Sequence, residues 1–277
     1  MRVIVTSVKD PASQNIKQVL IDEYGFHSNG EIFEGNEIYT HEPDSILITS
    51  ERDLIRCDHL DEHFDAEVFI FCSRHRSKSA KPALLVHSTG NYLSDDSFGG
   101  QPYELSISTA SLVSTAYKRL FSERNHRNLS EFDVSLEVTH HGPTSMKTPL
   151  LFVELGSDEE YWEHPEGAKA VAAAAIDCLT VSMNKGASIA FGGNHYASKF
   201  NRLVLEENIH ISHMAPKYVL DEINQDLVSQ MVNRTHESVN QAILDWKGTT
   251  SDQRDRIIPM IESLGIEIIR AKELKSD

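Results

Sequence analysis

The chain has 277 residues, of which 40% are hydrophobic and 25% are charged. This composition is average for a globular protein and provides enough apolar side chains for a sizeable core. Apolar runs stay shorter than the roughly 18 residues that a membrane-spanning helix needs, so such a helix is excluded. The 42 acidic and 26 basic residues give a net charge of −16, which excludes the overall positive field of a non-specific nucleic-acid binder.

The cysteines predict the cellular setting. Cys57, Cys72 and Cys178 are odd in number and lack the spacing of a disulfide framework or a zinc finger. The first ten residues, MRVIVTSVKD, contain too short an apolar run for a secretory signal. We therefore expect a reducing, cytoplasmic environment.

The predicted elements alternate between strands and helices along the chain. Strands are predicted at residues 2–8, 45–49, 67–72, 83–86, 133–138, 150–153, 187–191, 208–212 and 266–270. Helices are predicted at residues 13–24, 106–121, 166–183, 197–206, most of 219–246, and 252–264. Short, uniformly apolar runs are typical of strands buried on both faces. The sequence thus predicts a three-layer α/β/α fold with a mixed, mostly parallel sheet and a smaller N-terminal α/β part.

A cluster of Gly99, Gly100 and Pro102 predicts a domain boundary. Residues 1–98 would form the N-terminal part, and residues 99–277 a larger α/β domain with most of the histidine clusters. A single compact unit is the alternative.

A polar cluster comes directly after each of six apolar runs: SRHRSKSAKP, HSTGN, THHGPT, ELGS, GGNHY and SHMAPKY. Ligands of open α/β sheets bind at the carboxyl ends of the strands, so these clusters are predicted to converge on one pocket. Six of the 14 histidines lie in them: His75, His87, His140, His141, His195 and His213. The other histidines are assigned to surface or packing roles.

The first cluster is basic, although the chain as a whole is acidic. It carries Arg74, Arg76, Lys78 and Lys81 and no acidic residue. Guanidinium and ammonium groups supply most protein contacts to nucleic-acid phosphates, so a phosphate-binding segment is predicted. The segment is too small for a duplex alone and suits an RNA end or a nucleotide. The alternative is a solvated loop with unpaired charges.

Candidate catalytic residues lie in THHGPT and ELGS. His140 and His141 suit general base catalysis or zinc ligation, and the following glycine allows a turn that brings both rings inward. Glu154 is a candidate metal ligand, general base or anchor for a substrate ammonium group, and a surface carboxylate is the alternative.

Two further clusters contain candidate binding residues. Gly192, Gly193 and Asn194 precede a predicted helix whose first N–H groups can bind an anion or a developing oxyanion. His195 and Lys199 line that helix, and SHMAPKY adds the candidates His213 and Lys217. The chain contains no Walker A, GxGxxG, GxSxG or HExxH motif, which favours hydrolysis or transfer by histidine, carboxylate and metal.

Five segments in order resemble the D-aminoacyl-tRNA deacylases of the archaeal and plant type: SRHRSKSAKPALLVHSTGN, VTHHGPT, FVELGS, GGNHYASKF and HMAPKY. The resemblance runs from about Val3 to the last predicted strand. It implies hydrolysis of the ester between a D-amino acid and the 3′-terminal adenosine of tRNA, which is chiral proofreading of translation. It also implies a core similar to bacterial peptidyl-tRNA hydrolase and the use of zinc.

This resemblance assigns roles to the candidates. The basic segment would take phosphates of the tRNA 3′ end, and His140, His141 or a bound zinc would activate water. Glu154 would hold the α-ammonium group, so that the side chain of an L-amino acid would be directed into the wall of the pocket. His195 joins the catalytic candidates. The candidate zinc ligands are His75, His87, His140, His141 and Glu154. A metal-free mechanism with histidine and the ribose hydroxyl stays open.

Two alternatives remain at this level. A zinc-dependent peptidase or amidase with an α/β fold would use the same histidines without the basic segment. A non-catalytic RNA-binding module would need the basic segment alone. No DNA or membrane partner is expected, and the sequence does not determine the oligomeric state.

Overall fold

The computed structural model describes residues 1–274. In this range the strands are β1 (Arg2–Ser7), β2 (His27–Phe33), β3 (Asn36–His41), β4 (Ser45–Ser50), β5 (Val68–Arg76), β6 (Ala83–His87), β7 (Asp133–Leu136), β8 (Leu150–Ser157), β9 (Ala187–Phe191), β10 (Ile211–Ala215), β11 (Val239–Leu244) and β12 (Glu267–Arg270). The helices are α1 (Pro11–Tyr24), α2 (Ala110–His126), α3 (Glu159–Trp162), α4 (Pro165–Asp177), α5 (Ser198–Glu206), α6 (Gln225–Asn233) and α7 (Ser251–Glu262). None of the helices in residues 1–274 combines the length and apolar character needed to cross a membrane.

The chain divides into two compact units that are interleaved in sequence. Unit 1 consists of Met1–Val86, Thr115–Val134 and Met146–Val181. Unit 2 consists of His87–Ser114, Ser135–Ser145 and the described residues from Ser182 onward. This partition has no boundary at residues 98 and 99. The glycines near that position belong to a loop inside unit 2, where the Asn91 side chain donates to the Gly99 carbonyl oxygen (2.8 Å).

The larger sheet is mixed, with the strand order β2-β3-β4-β1-β5-β8-β6-β7. Strands β4, β1, β5 and β8 run parallel, whereas β2, β3 and β4 pair antiparallel. All residues of β1 and β8 are buried, as expected for parallel strands covered on both faces. The core of unit 1 on this sheet includes Val3, Phe69 and Phe152.

Helix α1 begins where its sequence predicts. Asp10 caps the helix by accepting a hydrogen bond from the Ser13 N–H, and Pro11 occupies the first turn. A carboxylate at the cap satisfies an N–H group that has no partner within the helix, and proline at this point loses no hydrogen bond. The cap places the Asp10 carboxylate just beyond the carboxyl end of β1.

Unit 2 contains a second sheet, which is parallel throughout and has the order β10-β9-β11-β12. Its core joins sheet residues such as Phe191 and Leu244 to Leu227 and Met231 on α6 and to Ile257 on α7. The carboxyl ends of the four parallel strands therefore lie at one edge of this sheet, where His195 and Lys217 follow β9 and β10.

The predicted α/β class and mixed sheet are confirmed. The prediction of mostly helix over residues 219–246 is wrong in part, because α6 is followed by strand β11. The hairpin of β2 and β3 was not predicted, since β2 is almost wholly exposed and has no apolar pattern. Strands β5 and β8 continue past the predicted ends into polar residues.

Candidate active site

Four histidines of unit 2 lie together, and we call them the histidine cluster: His87, His140, His141 and His195. His87 ends β6, His140 and His141 follow β7, and His195 follows β9. The ring centroid of His140 lies 4.2 Å from that of His87, 4.5 Å from that of His141 and 4.7 Å from that of His195. Segments far apart in sequence thus bring their imidazoles to one place.

The main chain around Gly90 holds the two adjacent histidines. The Gly90 N–H donates to the carbonyl oxygens of His140 (3.3 Å) and His141 (2.7 Å). A Cβ atom at Gly90 would lie 2.6 Å from a methyl carbon of Leu105, so only glycine allows this approach. His141 itself adopts the left-handed conformation (φ 45°), which turns the chain between the two rings.

Three rings of the cluster are oriented by main-chain carbonyl groups. Their Nδ1 atoms lie 2.7–3.1 Å from the carbonyl oxygens of Ser88, Val138 and Gly142, for His87, His140 and His141 respectively. A neutral imidazole that donates its Nδ1–H carries its lone pair on Nε2. These three histidines form a potential metal-binding group, with ligand atoms all within 4.8 Å of one another.

The electrostatics of the cluster favour a neutral ring at His140. Burial holds the pKa of His140 well below its usual range, and the neighbouring rings of His87, His141 and His195 act in the same direction. Metal ligation requires the neutral imidazole, so this pKa direction and the carbonyl contacts both fit a zinc ion.

The fourth ring, His195, belongs to a chain of polar groups. Its Nε2 atom lies 3.0 Å from Oε1 of the fully buried Glu137, and its Nδ1 atom lies 3.2 Å from the Tyr218 hydroxyl. Glu137 Oε2 is also 4.0 Å from His140 Nε2. An ionised carboxylate beside Nε2 favours the neutral tautomer with its proton on that nitrogen, in which Nδ1 carries the lone pair.

Sequence reasoning missed Glu137. It lies in the apolar run VSLEV, which we predicted to be strand as far as Val138, whereas β7 ends at Leu136. The available signal was an acidic residue inside an apolar run, because a carboxylate is rarely fully buried without a partner.

In unit 1 the candidate site residues His75 and Glu154 lie on strands β5 and β8. In the β5–β8 pair, Ser73 is opposite Glu154, and both side chains are buried. Glu154 Oε1 accepts a hydrogen bond from the Ser73 hydroxyl (2.7 Å), and Oε2 lies 3.3 Å from His75 Nδ1. The alternative of a surface carboxylate for Glu154 is therefore wrong, since β8 continues through it.

The basic segment begins within β5 because that strand extends to Arg76. Successive residues of a strand point to opposite faces, so His75 is buried while Arg74 and Arg76 share the other face. Both guanidinium groups lie over the Trp162 ring, at 5.4 and 5.8 Å from its centroid. Lys78 and Lys81 are exposed in the turn that follows.

Comparison with known proteins identifies the family. A model of the D-aminoacyl-tRNA deacylase family matches residues 62–269, about three quarters of the chain.

The chain belongs to the D-aminoacyl-tRNA deacylase family.

Curated relatives agree over nearly the full length. The D-aminoacyl-tRNA deacylase of Thermococcus onnurineus is 33% identical over 282 residues, covering 98% of this chain and 100% of its own. That of Methanocaldococcus jannaschii is 33% identical over 252 residues, covering 80% and 97%. A crystal structure of a conserved protein of unknown function is 29% identical with a TM-score of 0.91, covering 100% of this chain and 97% of its own. The family predicted from the five segments is confirmed.

Other predicted residues of this deacylase family member serve the fold. The N–H groups of Gly192 and Gly193 donate to the carbonyl oxygens of Ala215 (2.9 Å) and Gly248 (3.2 Å), so the predicted oxyanion donors are already engaged. Asn194 is exposed, and its carbonyl oxygen accepts from the Ala197 N–H. Helix α5 begins only at Ser198, so its N-terminus is not at the glycines.

The remaining candidates lie on α5 and around β10. Lys199 pairs with Asp245. His213 is fully buried within β10, and its Nε2 atom lies 3.1 Å from the Arg234 carbonyl oxygen. Burial lowers the pKa of His213 to about 4, which keeps this ring neutral. The structure therefore places His213 in the core and not at a strand end, whereas Lys217 is exposed directly after β10.

Asp10 contributes an unusual carboxyl group to unit 1. Burial raises its pKa from 3.8 to about 6, although hydrogen bonds from the Ser13 and Arg74 N–H groups oppose the shift. Because the folded-state pKa lies above the unfolded value, protonated Asp10 stabilises the fold below about pH 4. This stabilisation is lost as the pH rises through about 6.

We expect Asp10→Asn to remove this pH dependence. The difference in unfolding free energy between variant and wild type should shift in favour of the variant by ~2 kcal/mol between pH 4 and about 7. Asparagine caps helices as well as aspartate does, which limits disruption of α1. Urea unfolding across this pH range measures the difference. The exposed Asp65→Asn variant is the control, and an equal shift there would contradict the assignment.

Proposed function

We propose that this chain hydrolyses D-aminoacyl-tRNA at the histidine cluster of unit 2. The products are the free D-amino acid and tRNA, which is the activity in the names of the curated relatives. The observation that carries the proposal is the convergence of four imidazoles and the buried Glu137 carboxylate. The alternatives of a peptidase or a non-catalytic RNA-binding module are not favoured, because the family match covers most of the chain.

Zinc is the metal that this arrangement fits best. We assign His87, His140 and His141 as its ligands because their orientation leaves each Nε2 lone pair available and their ligand atoms lie close together. Zinc bound there would polarise the ester carbonyl group and lower the pKa of a bound water to about 7. Glu137, His140 and His195 form a second potential group that shares His140.

His195 is the proposed general base. The Glu137 carboxylate holds the ring in the tautomer whose lone pair is on Nδ1, as a carboxylate does in catalytic triads. Water adds to the ester carbonyl carbon while its proton passes to Nδ1. The bond between that carbon and the ribose oxygen then breaks, and the proton passes from His195 to the leaving ribose oxygen. The aminoacyl ester is labile, so no covalent nucleophile is needed.

The basic segment of unit 1 is the proposed phosphate-binding element. Arg74 and Arg76 both contact the Trp162 ring, so less side-chain entropy is lost when they bind a phosphate. Lys78 and Lys81 add positive charge in the same segment. Four cations without an intervening acid explain how a protein of net charge −16 can bind RNA.

Roles for Glu154 and His75 in catalysis or metal binding stay predictions. Both side chains are buried within unit 1. The Glu154 carboxylate accepts a hydrogen bond from the Ser73 hydroxyl and lies 3.3 Å from His75 Nδ1. Chiral selection by a fixed ammonium group and a wall that rejects the L side chain likewise stays a prediction, and it implies broad tolerance among D-amino acids.

The activity itself is tested with matched D- and L-tyrosyl-tRNA. We expect the D ester to be hydrolysed well above the buffer control and the L ester to remain near it. Chelation should abolish turnover of the D ester, and added zinc should restore it. An unhydrolysed D ester would overturn the proposed function.

His141→Ala should remove zinc together with activity. Loss of an outer-shell partner costs roughly 10–100-fold, and loss of a ligand should cost more, so we expect kcat/KM to fall by over ~100-fold. Elemental analysis of the purified variant measures the metal separately from activity. The exposed His126→Ala is the control. Full zinc content in the variant would contradict this ligand set.

Replacing both Arg74 and Arg76 with alanine should weaken tRNA binding. We expect KM for D-tyrosyl-tRNA to rise about tenfold, with a salt dependence of binding shallower by up to ~1.4 in logarithmic slope. Turnover of a small D-tyrosine ester should change little, because it has no phosphate. The exposed Arg52→Ala in unit 1 is the control. A parallel loss on both substrates would contradict phosphate binding.

A further inference from the structure

Three residues with exposed aromatic side chains contact the histidine cluster or the chain next to it. Among residues 1–274, the large hydrophobic side chains that remain exposed include Phe98 (67%), Tyr218 (57%) and Tyr196 (40%). The Tyr218 hydroxyl lies 3.2 Å from His195 Nδ1, and the Tyr196 ring centroid lies 5.4 Å from that of His195. The Phe98 carbonyl oxygen accepts from the N–H of Gly142, the residue after His141 (3.1 Å).

The main chain that carries Phe98 is held in place. The Asn91 side chain donates to the Gly99 carbonyl oxygen (2.8 Å), and the Gln101 N–H donates to the Thr144 hydroxyl (2.8 Å). Gly100 has φ +75°, and a Cβ atom there would lie 2.5 Å from a methyl carbon of Thr144. The exposure of Phe98 is therefore a property of a fixed loop, which presents an apolar ring to a binding partner in advance.

We infer that Phe98, Tyr196 and Tyr218 stack on the unpaired nucleotides at the 3′ end of tRNA. This inference rests on the proposed function and names how its substrate is held at the site. The ester bond lies at the end of a single strand, whose bases have both faces open. Aromatic side chains bind such bases without reading their sequence, which suits an end common to different tRNAs.

The position of the two tyrosine rings favours the substrate over any other partner. His195 is 35% exposed, and Tyr196 and Tyr218 flank it. A second copy of the chain or a protein partner seated on these rings would also cover His195. Only the substrate can occupy this surface while the reaction proceeds.

Stacking also complements the charge of the protein. Base–aromatic contact needs no cation, so it can hold the strand where the basic segment does not. Tyr218 has a second contact through its hydroxyl, to His195, and a change there would also alter the proposed base. Phe98 has an apolar side chain, so it provides the clearer test.

Phe98→Ala is the decisive variant. Loss of one stacked base should raise KM for D-tyrosyl-tRNA by about tenfold, with kcat within about twofold of wild type. Phe98→Trp keeps a stacking ring and should bind within about threefold of wild type. Phe121→Ala removes an exposed aromatic ring from α2 of unit 1 and is the matched control. It should leave KM unchanged.

Two further measurements distinguish base stacking from a general loss of turnover and from self-association of the chain. Turnover of D-tyrosine methyl ester, which has no base, should fall far less in Phe98→Ala than turnover of D-tyrosyl-tRNA. Light scattering of wild type and variant tests the second-copy alternative. An unchanged KM for D-tyrosyl-tRNA, an equal loss on the methyl ester, or a lower assembly mass in the variant would each overturn the inference.

Binding of uncharged tRNA, followed by fluorescence anisotropy, needs no hydrolysis. It therefore tests stacking even if wild type proves inactive on D-tyrosyl-tRNA. If wild type is inactive and Phe98→Ala weakens tRNA binding, the stacking inference is supported and the proposed function is overturned. If wild type is active and Phe98→Ala binds tRNA with unchanged affinity, the proposed function is supported and the stacking inference is overturned.

Discussion

The candidate active site of unit 2 depends on the close packing of imidazoles, which together with burial holds the pKa of His140 well below its usual range. Ring centroids lie 4.2 to 4.7 Å apart, and two positive charges at that distance would repel each other strongly. Main-chain carbonyl oxygens orient His87, His140 and His141, since each carbonyl accepts an Nδ1–H. When these rings are neutral, the same contacts leave the lone pair of each on Nε2. The buried Glu137 carboxylate lies 3.0 Å from His195 Nε2 and orients the fourth ring.

The two units carry different kinds of functional groups. Unit 1 offers cations stacked on an aromatic ring, and unit 2 offers neutral imidazoles, a carboxylate and exposed aromatic rings. An acidic surface elsewhere is compatible with RNA binding because phosphate recognition acts over about 10 Å or less at moderate salt. The net charge therefore excludes non-specific binding of nucleic acid, but it does not exclude specific binding of an RNA end.

The successes and failures of sequence reasoning have physical causes. Buried parallel strands such as β1 and β9 are apolar throughout, and their positions were predicted closely. Strand β2 is exposed and polar, so its pairing with β3 depends on contacts that no local pattern displays. Arg74 and Glu154 were assigned to loops because polarity marks the end of a buried strand, yet β5 and β8 continue to pair beyond their apolar runs. His213 was placed at a strand end by the same reasoning, although it is buried within β10.

Sequence alone determined the class of fold, the family and the segments that carry chemistry, because apolar runs and ordered motifs are local properties of the chain. Only the tertiary structure decided which histidines meet, that Glu137 joins them, and that the N–H groups of Gly192 and Gly193 are already engaged. Those facts depend on the hydrogen bonds between segments dozens of residues apart. Such bonds form only when folding brings the segments together, so no local pattern records them.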